Sequence, residues 1–338
     1  MSALNNRMEL ICPAGNLPTL RTAIDNGADA VYIGFRNSTN ARNFPGLNFS
    51  PEEALDGVQY VKKNGKRLFL AINTYPTPDH WDEAVRAVDK AAEIGVDALI
   101  LADIGLMRYA AKSHPELRLH LSVQGSATNW RAIAFYHEQF GIQRVVLPRV
   151  LSLTQVQQLI NKTPVEVEVF GYGSLCVMVE GRCALSSFVT GDSPNSAGVC
   201  SPANAVRWME TPSGRDAHLN GVLINRYHTG ETAGYPTICK GRFRVNNNVF
   251  HSIEEPICLN VLEILPDLVK SGVTAIKVEG RQRSRAYVAT VARTLRAALD
   301  SYFANPANFI PSTEWISQLN QLSEGNCHTL GAYHRDWQ

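Results

Sequence analysis

Four cysteines on irregular backbone are the residues of this chain best suited to chemistry. Cys176 and Cys183 lie either side of Gly181 in EVFGYGSLCVMVEGRCALS, Cys200 sits in the polar stretch GDSPNSAGVCSPAN, and Cys239 follows a glycine-rich turn in YPTICKG. Thiolates are soft metal ligands. An odd total of seven cysteines argues against a disulfide framework, so metal or cluster ligation is the leading use for a subset. The gaps of six, sixteen and thirty-eight residues between the four contain no close pair of the zinc-finger kind. An iron–sulfur cubane accepts thiolates from scattered loops, because its irons are spread over a larger object than one ion. Structural zinc and four metal-free buried thiols are the alternative uses, the latter disfavoured by the glycine and proline around all four. Cys12, Cys258 and Cys327 fall outside the set. Cys12 ends an apolar strand and Cys258 adjoins an amphipathic stretch, as small core residues do, and Cys12 is the one placed to approach the site.

A second group of polar residues recurs at the ends of apolar runs: Asn16, Asn40, Arg42, Asn73, Asp103, Gln124, Asn129, Arg149, Glu168, Lys277, Glu279 and Arg281. Singly, each serves as a helix cap or loop hydrogen-bonder as readily as a ligand. Together they predict a polar pocket. Arg42, Lys277 and Arg281 could hold a carboxylated co-substrate through charge-assisted bonds, with salt bridges to Glu168 or Glu279 as the competing use. Hydrolytic signatures are missing: His137-Glu138 runs on as Gln139-Phe140-Gly141 rather than HExxH, and no GxSxG elbow occurs.

Such residues need a scaffold, and the composition provides one. The 338 residues are 45% hydrophobic and 19% charged, ordinary values for a packed protein with ample core. A net charge of +1 gives no global field to draw in nucleic acid. No apolar run reaches the roughly 18 to 20 residues of a spanning helix, and MSALNNR lacks a signal-peptide core, so a cytoplasmic protein is expected. Short β-rich runs near 9–12, 30–34, 67–73, 98–102, 118–123, 144–148, 165–170 and 275–279 alternate with amphipathic stretches of helical length. Eight such units predict an α/β fold, a (β/α)8 TIM-like barrel. Ser50-Pro51 with Glu53, and Ser152 with Gln155, read as capping boxes, while Gly27, Gly65, Gly95 and Gly141 read as helix stops. Residues 171–258 fit no βα unit and carry the four cysteines. The expected organisation is a flexible tail (1–7), a barrel (8–304) with a cysteine-bearing insertion after strand 7 on its C-terminal face (171–258), and a C-terminal tail (305–338). Within the insertion GRFRVNNNVFHSI predicts a hairpin turning at Asn246 to Asn248. Beyond it, Leu259 to Gly272 predicts the seventh helix and Ser284 to Phe303 the eighth.

Glu168, Phe170, Gly173, Ser174, Leu175, Cys176, Gly181, Cys183, Leu185 and Ser186 together resemble the signature of the collagenase-like peptidase family of unclassified catalytic type. ICPAGN (11–16), GADAVYIG (27–34) and KVEGRQRS (277–284) look like that family too, and the resemblance runs from about Met8 to the C-terminus. Within the family the chain is most similar to the ubiquinone-biosynthesis branch, through NARNFPGLNF, AINTYPTPD, SVQGSATN, VVLPRVLS, GSLCVMVEGRC, AGYPTICKGR and SEGNCHTLGAYHRDWQ. That resemblance implies a [4Fe–4S] cluster on Cys176, Cys183, Cys200 and Cys239, and a homologous UbiV-like partner subunit in a heterodimer. It also implies oxygen-independent hydroxylation of prenylated aromatic precursors in anaerobic ubiquinone biosynthesis, the lipid-like substrate arriving by a lipid carrier or a membrane surface. Relatives that hydroxylate RNA use prephenate as co-substrate, which implies prephenate as an oxygen source here. Peptidase activity and RNA hydroxylation are the alternatives within the same family.

Overall fold

The computed structural model describes residues 7–178, 182–197 and 199–334, with the backbone alone at 196 and 197. The first seven strands are β1 (Glu9–Pro13), β2 (Ala30–Gly34), β3 (Arg67–Ile72), β4 (Ala98–Leu101), β5 (Leu119–Leu121), β6 (Arg144–Val146) and β7 (Glu166–Ser174). Helices α1 (Leu17–Asp25), α2 (Pro51–Lys63), α3 (Trp81–Ile94), α4 (Ile104–Ser113), α5 (Trp130–Phe140) and α6 (Leu153–Ile160) alternate with them. The insertion carries α7 (Ala184–Thr190), α8 (Pro194–Ala197), an antiparallel sheet of β8 (Val206–Thr211), β9 (Gly214–Leu219) and β10 (Val222–His228), and the hairpin β11 (Arg242–Val245) with β12 (Asn248–His251). The chain returns through β13 (Cys258–Asn260), α9 (Leu265–Lys270), β14 (Ala275–Val278) and α10 (Arg285–Ala304), then ends with α11 (Thr313–Leu322) and β15 (His328–Thr329). Strand β14 pairs in parallel with both β1 and β7, which closes the eight-stranded parallel barrel. No helix among the described residues is long and apolar enough to cross a membrane.

Local chemistry sets the helix boundaries. Both capping boxes form: Ser50 accepts from Glu53 N–H and Ser152 from Gln155 N–H, and each partner side chain reaches back to the cap backbone. Gly95 and Gly141 take left-handed conformations at the ends of α3 and α5. Asn246 and Asn247 both have positive φ, the two-residue turn that joins β11 to β12.

Alternation along the strands sends one set of side chains to the helices and the other into the lumen. Leu10, Cys12, Val31, Ile33, Leu68 and Leu70 join the main core, whereas Ile11, Ala30, Tyr32, Phe69, Ala71, Ala98, Ile100 and Ala275 form a separate inner group. Cys12 is therefore fully buried on the helix side and does not approach the barrel mouth. Barrel lumens are usually filled by branched aliphatic layers. Here a layer of ions takes part of that space. Arg144, 1% exposed, reaches from β6 to Glu9 on β1 (2.8 Å), to Glu166 (2.6 Å) and to Glu168 (3.2 Å), while Lys277 pairs with Glu168 at 2.7 Å. Burial opposes charge on Glu168, but Lys277 and Arg144 outweigh it and hold the carboxyl below its usual range. Glu168, expected at the mouth, thus lies inside the barrel, because a side chain in the middle of a strand points along the sheet normal and not out of its end.

His120 sits in the same layer, edge-on to Phe69, and its Nε2 accepts from Arg118 Nε at 3.0 Å. Burial, then the fields of Arg144, Arg118, Lys277 and Arg67, hold its pKa well below the usual 6.5. The unfolded chain binds a proton near pH 6.5 that the folded chain refuses. Stability contributed by the neutral imidazole is therefore complete above that pH and drains away as the pH falls, at up to about 1.4 kcal/mol per pH unit. Denaturant titrations between pH 7.5 and 5 should show this loss, and His120→Gln should flatten it. Equal pH slopes in the two proteins would refute the assignment.

The insertion leaves and returns on a short stem. β7 bulges past β14 between Phe170 and Tyr172, then continues to Ser174, and its last three residues pair antiparallel with β13. Gly173 has φ 133, and a Cβ there would lie 2.6 Å from that of Glu279. The excursion proper thus begins after Ser174, later than residue 171. The predicted helix from Leu259 is shorter than expected, since Leu259 and Asn260 are strand and α9 starts at Leu265. The exposed backbone groups at the top of β7 need partners, and β13 supplies them. Asn260 Oδ1 then accepts from Leu262 N–H at 3.1 Å and turns the chain. The tail is an ordered part of the fold over its described residues: α11 packs on α10, β15 pairs in parallel with β13, and Tyr333 OH donates to Phe170 O at 3.1 Å. Of the expected N-terminal tail, residues 1–6 lie outside the described residues, as do 335–338 of the C-terminal one.

Candidate functional site

The C-terminal ends of the barrel strands surround a cleft, open on one side. Its lining includes Arg42, Asn73, Gln124, Arg149, Lys277, Glu279 and Arg281, with Tyr32, Ile100, Val146 and Phe170 as apolar and aromatic surface.

The other strand-end residues are structural. Asn16, Asp103 and Asn129 cap α1, α4 and α5 through their side-chain oxygens. Asn40 and Asn48 knit the loop that carries Arg42: Arg42 N–H donates to Asn40 Oδ1 at 3.0 Å, and Asn48 Nδ2 donates to Arg42 O at 2.8 Å. Asn40 Oδ1 also accepts from Arg281 Nη1 at 2.7 Å, so one asparagine fixes both guanidinium-bearing loops. Asn73 Oδ1 accepts from Ala41 N–H at 3.2 Å and holds the loop from the other side.

The cations of the cleft divide by their partners. Lys277 is neutralised by Glu168 and lies 3.9 Å from the centroid of the Tyr32 ring, so its charge belongs first to the lumen layer. Arg281 is held by a neutral carboxamide, and burial pushes its guanidinium down to about 10, still charged at neutral pH. Arg149 stacks 4.3 Å from the Phe170 centroid and donates to Ser174 O. Gln124 is buried, and among the described residues its Oε1 has no hydrogen-bond partner. A buried amide left open in a cleft is a group that a ligand can satisfy.

Beside this cleft stand the four thiols. All seven cysteines are free, and the four in the insertion are partly exposed. Cys176 follows β7 directly. Cys183 caps α7, its sulfur accepting from Ser186 N–H at 3.4 Å, and Ser186 Oγ donates to Cys200 O at 2.6 Å, which ties two of the loops together. α7 packs against the short turn at 238–240 that carries Cys239. Burial first, then the sulfurs of Cys200, Cys176 and Cys183, against the pull of Lys240, push the Cys239 thiol up to about 12. Cys200 is also raised by burial, while Arg42 pulls it down. The sulfurs of Cys176, Cys183 and Cys200 therefore all act on Cys239, and Arg42, which lines the cleft, acts on Cys200. Among the described residues no group of three or more His, Cys, Asp or Glu is gathered tightly enough for a single metal ion. Gly181 of the cysteine motif lies outside the described residues.

The insertion is docked on the barrel mouth at Tyr75. Asn195 accepts from Tyr75 N–H at 3.0 Å and donates to Tyr75 O at 3.2 Å, Arg182 lies 4.1 Å from the Tyr75 ring centroid, and Tyr75 OH donates to Gln124 O at 2.6 Å. This clamp was not read from the sequence, nor were the roles of Tyr32 and Phe170. The period-two pattern of VEVEVF could have shown Phe170 sharing the face of Glu168, whereas nothing local marks Asn195 as a partner of Tyr75.

Comparison with known proteins bears on the same stretches. The chain is 30% identical over 326 residues to the tRNA hydroxylation protein P1 of Bacillus subtilis (strain 168), covering 96% of this chain and 71% of that protein. To the tRNA hydroxylation protein P of Escherichia coli (strain K12) it is 32% identical over 314 residues, 86% of this chain and 68% of that one. An uncharacterized protease of Methanocaldococcus jannaschii is 31% identical over 334 residues, 97% of this chain and 74% of its own. The resemblance drawn from the cysteine motif thus holds at the level of the family, whose members carry both hydroxylation and protease names. The family model described as Peptidase family U32 matches residues 15–336, and the chain belongs to that family.

Proposed function

We propose that this protein is the [4Fe–4S] subunit of an oxygen-independent hydroxylase, akin to the ubiquinone biosynthesis protein UbiU and working with a UbiV-like partner on prenylated aromatic precursors. The observation that carries the reading is the position of Arg42, which lines the cleft and also stands in electrostatic reach of Cys200. A cluster held in part by Cys200 would thereby stand near the substrate pocket. The donor chemistry fits the group, because four thiols suit a cluster. Cys176, Cys183, Cys200 and Cys239 would hold it, and when bound it supplies single-electron transfer at the edge of the cleft.

The chain's own residues bind and orient. Arg281, Arg42 and Arg149 attract the carboxylates of a co-substrate such as prephenate, while Lys277 stays with Glu168. Tyr32 and Phe170 offer ring faces for an aromatic substrate, and the Gln124 amide offers a hydrogen bond. Phe188, 91% exposed on α7, and Val177 beside Cys176 give the thiol loops an apolar edge for a lipid-like substrate. Among the described residues no histidine is hydrogen-bonded to a serine or cysteine.

RNA hydroxylation is the second reading, favoured by the names of the Bacillus subtilis and Escherichia coli relatives. Deleting the gene and profiling quinones and modified nucleosides from cells grown without oxygen separates the two. The quinone reading expects loss of ubiquinone with accumulation of an under-hydroxylated precursor, and normal quinones in air. Unchanged quinones with missing RNA hydroxylation would replace it by the second. The expected partner should co-purify under anaerobic conditions, and an active monomer would count against an obligate pair.

A further inference from the structure

Neither the barrel nor the cleft accounts for the turn at 323–326, which follows α11. Its Glu324 is a junction. Oε1 accepts from Ser174 Oγ at 2.6 Å and from Arg283 Nη2 at 2.8 Å, Oε2 is ion-paired with Lys240, and the Glu324 N–H donates to Cys258 Sγ at 3.4 Å. Ser174 lies two residues before Cys176, and Lys240 directly follows Cys239. One carboxylate therefore ties together the roots of two thiol-bearing loops that are remote in sequence. The turn is itself firmly seated: Ser323 Oγ donates to Leu319 O at 3.0 Å and lies 3.0 Å from Tyr172 OH. Gly325 has φ 63, and a Cβ there would fall 2.5 Å from Pro256 O, so the turn presses on the returning strand of the insertion.

We propose that Glu324 is a positioning residue, a latch by which the C-terminal segment holds the Cys176 and Cys239 loops in register for a shared metal centre. The inference rests on reading the four thiols as one such centre. Lys240 is 10% exposed and Glu324 27%, so this is a partly desolvated, charge-assisted contact rather than a surface ion pair. Groups behind the ligands commonly decide how well ligands are held. Here the latch joins the roots of both loops, at Ser174 and Lys240.

The test uses the full chain, reduced and metal-free, with iodoacetamide labelling of each cysteine followed by mass spectrometry. Glu324→Ala should speed the alkylation of Cys176 and Cys239 by about tenfold, the change in local opening expected from losing one charge-assisted bond. Lys240→Met should speed Cys239 alone, and Ser174→Ala should speed Cys176 alone, with Cys12 protected throughout. Unchanged rates at Cys176 and Cys239, or acceleration that includes Cys12, would overturn the latch. Iron per chain after anaerobic reconstitution is the second readout, expected to fall in Glu324→Ala and to recover in part in Glu324→Gln, which keeps the hydrogen bond from Ser174. If the parent chain takes up no iron while the loop-specific labelling persists, the metal reading fails and the latch stands. If the parent loads iron and Glu324→Ala loads as much with unchanged labelling, the latch fails and the metal reading stands.

Discussion

Cys239→Ser is expected to abolish anaerobic hydroxylation and to strip most of the iron from the purified chain. The loss of iron affinity should be at least roughly 100-fold, the upper range for removing a group that merely supports a ligand. The same holds for Cys176, Cys183 and Cys200. Cys258→Ala, whose thiol accepts from the Glu324 N–H at 3.4 Å, should retain iron. The physical reason is that thiolate ligands on irregular loops would be ordered by the group they hold, so binding and local folding would be coupled. Each substitution should therefore also make the insertion more sensitive to limited proteolysis. Burial and mutual proximity raise the Cys200 and Cys239 thiols, so loading must release protons and should weaken as the pH falls. If Cys258→Ala lost its iron while Cys200→Ala kept it, the assigned set would be wrong.

Arg144→Met is expected to cost about 3–5 kcal/mol, because it takes one counter-charge from the fully buried Glu168 and from the partly buried Glu9 and Glu166. Arg144 is the hub of the lumen layer, in contact with Glu9, Glu166 and Glu168. The Arg36–Glu53 pair offers the contrast, since its side chains are 50% and 43% exposed at 2.7 Å separation, and Arg36→Met should cost less than about 1 kcal/mol. Denaturant midpoints of the two variants measure the difference. The lumen change should also reach the cleft, because Glu168, freed from Arg144, would draw Lys277 away from the Tyr32 face. A neutral Arg144→Met would show that the layer tolerates water or protonation in place of the guanidinium, and would remove the argument that ions hold the barrel interior.

Much of the architecture was legible because its causes are local. A capping box spans four residues, so Ser50 with Glu53 and Ser152 with Gln155 announce their helices without help from the rest of the chain. Period-two and helical alternation marked the eight barrel strands and their helices, and the break in that rhythm marked the insertion. The family was legible from the cysteine motif and its companion stretches, since these are contiguous words of sequence. Other features depend on partners far along the chain, and no window of sequence contains both halves. Glu168 entered the lumen because β14, arriving after the whole insertion, closed against β7 and set Lys277 opposite Phe170, beside the carboxylate. Leu259 and Asn260 became strand because the top of β7 offered unpaired backbone, which outweighs helical propensity over so short a stretch. The C-terminal segment gained its place through hydrogen bonds from Tyr172 and Tyr333 and through Glu324. Sequence alone thus determined the barrel and its interruption. Which charged residues line the cleft, which are spent inside the lumen, and what holds the thiol loops were decided by tertiary structure, where burial makes the partner of each charge matter more than its position in the chain.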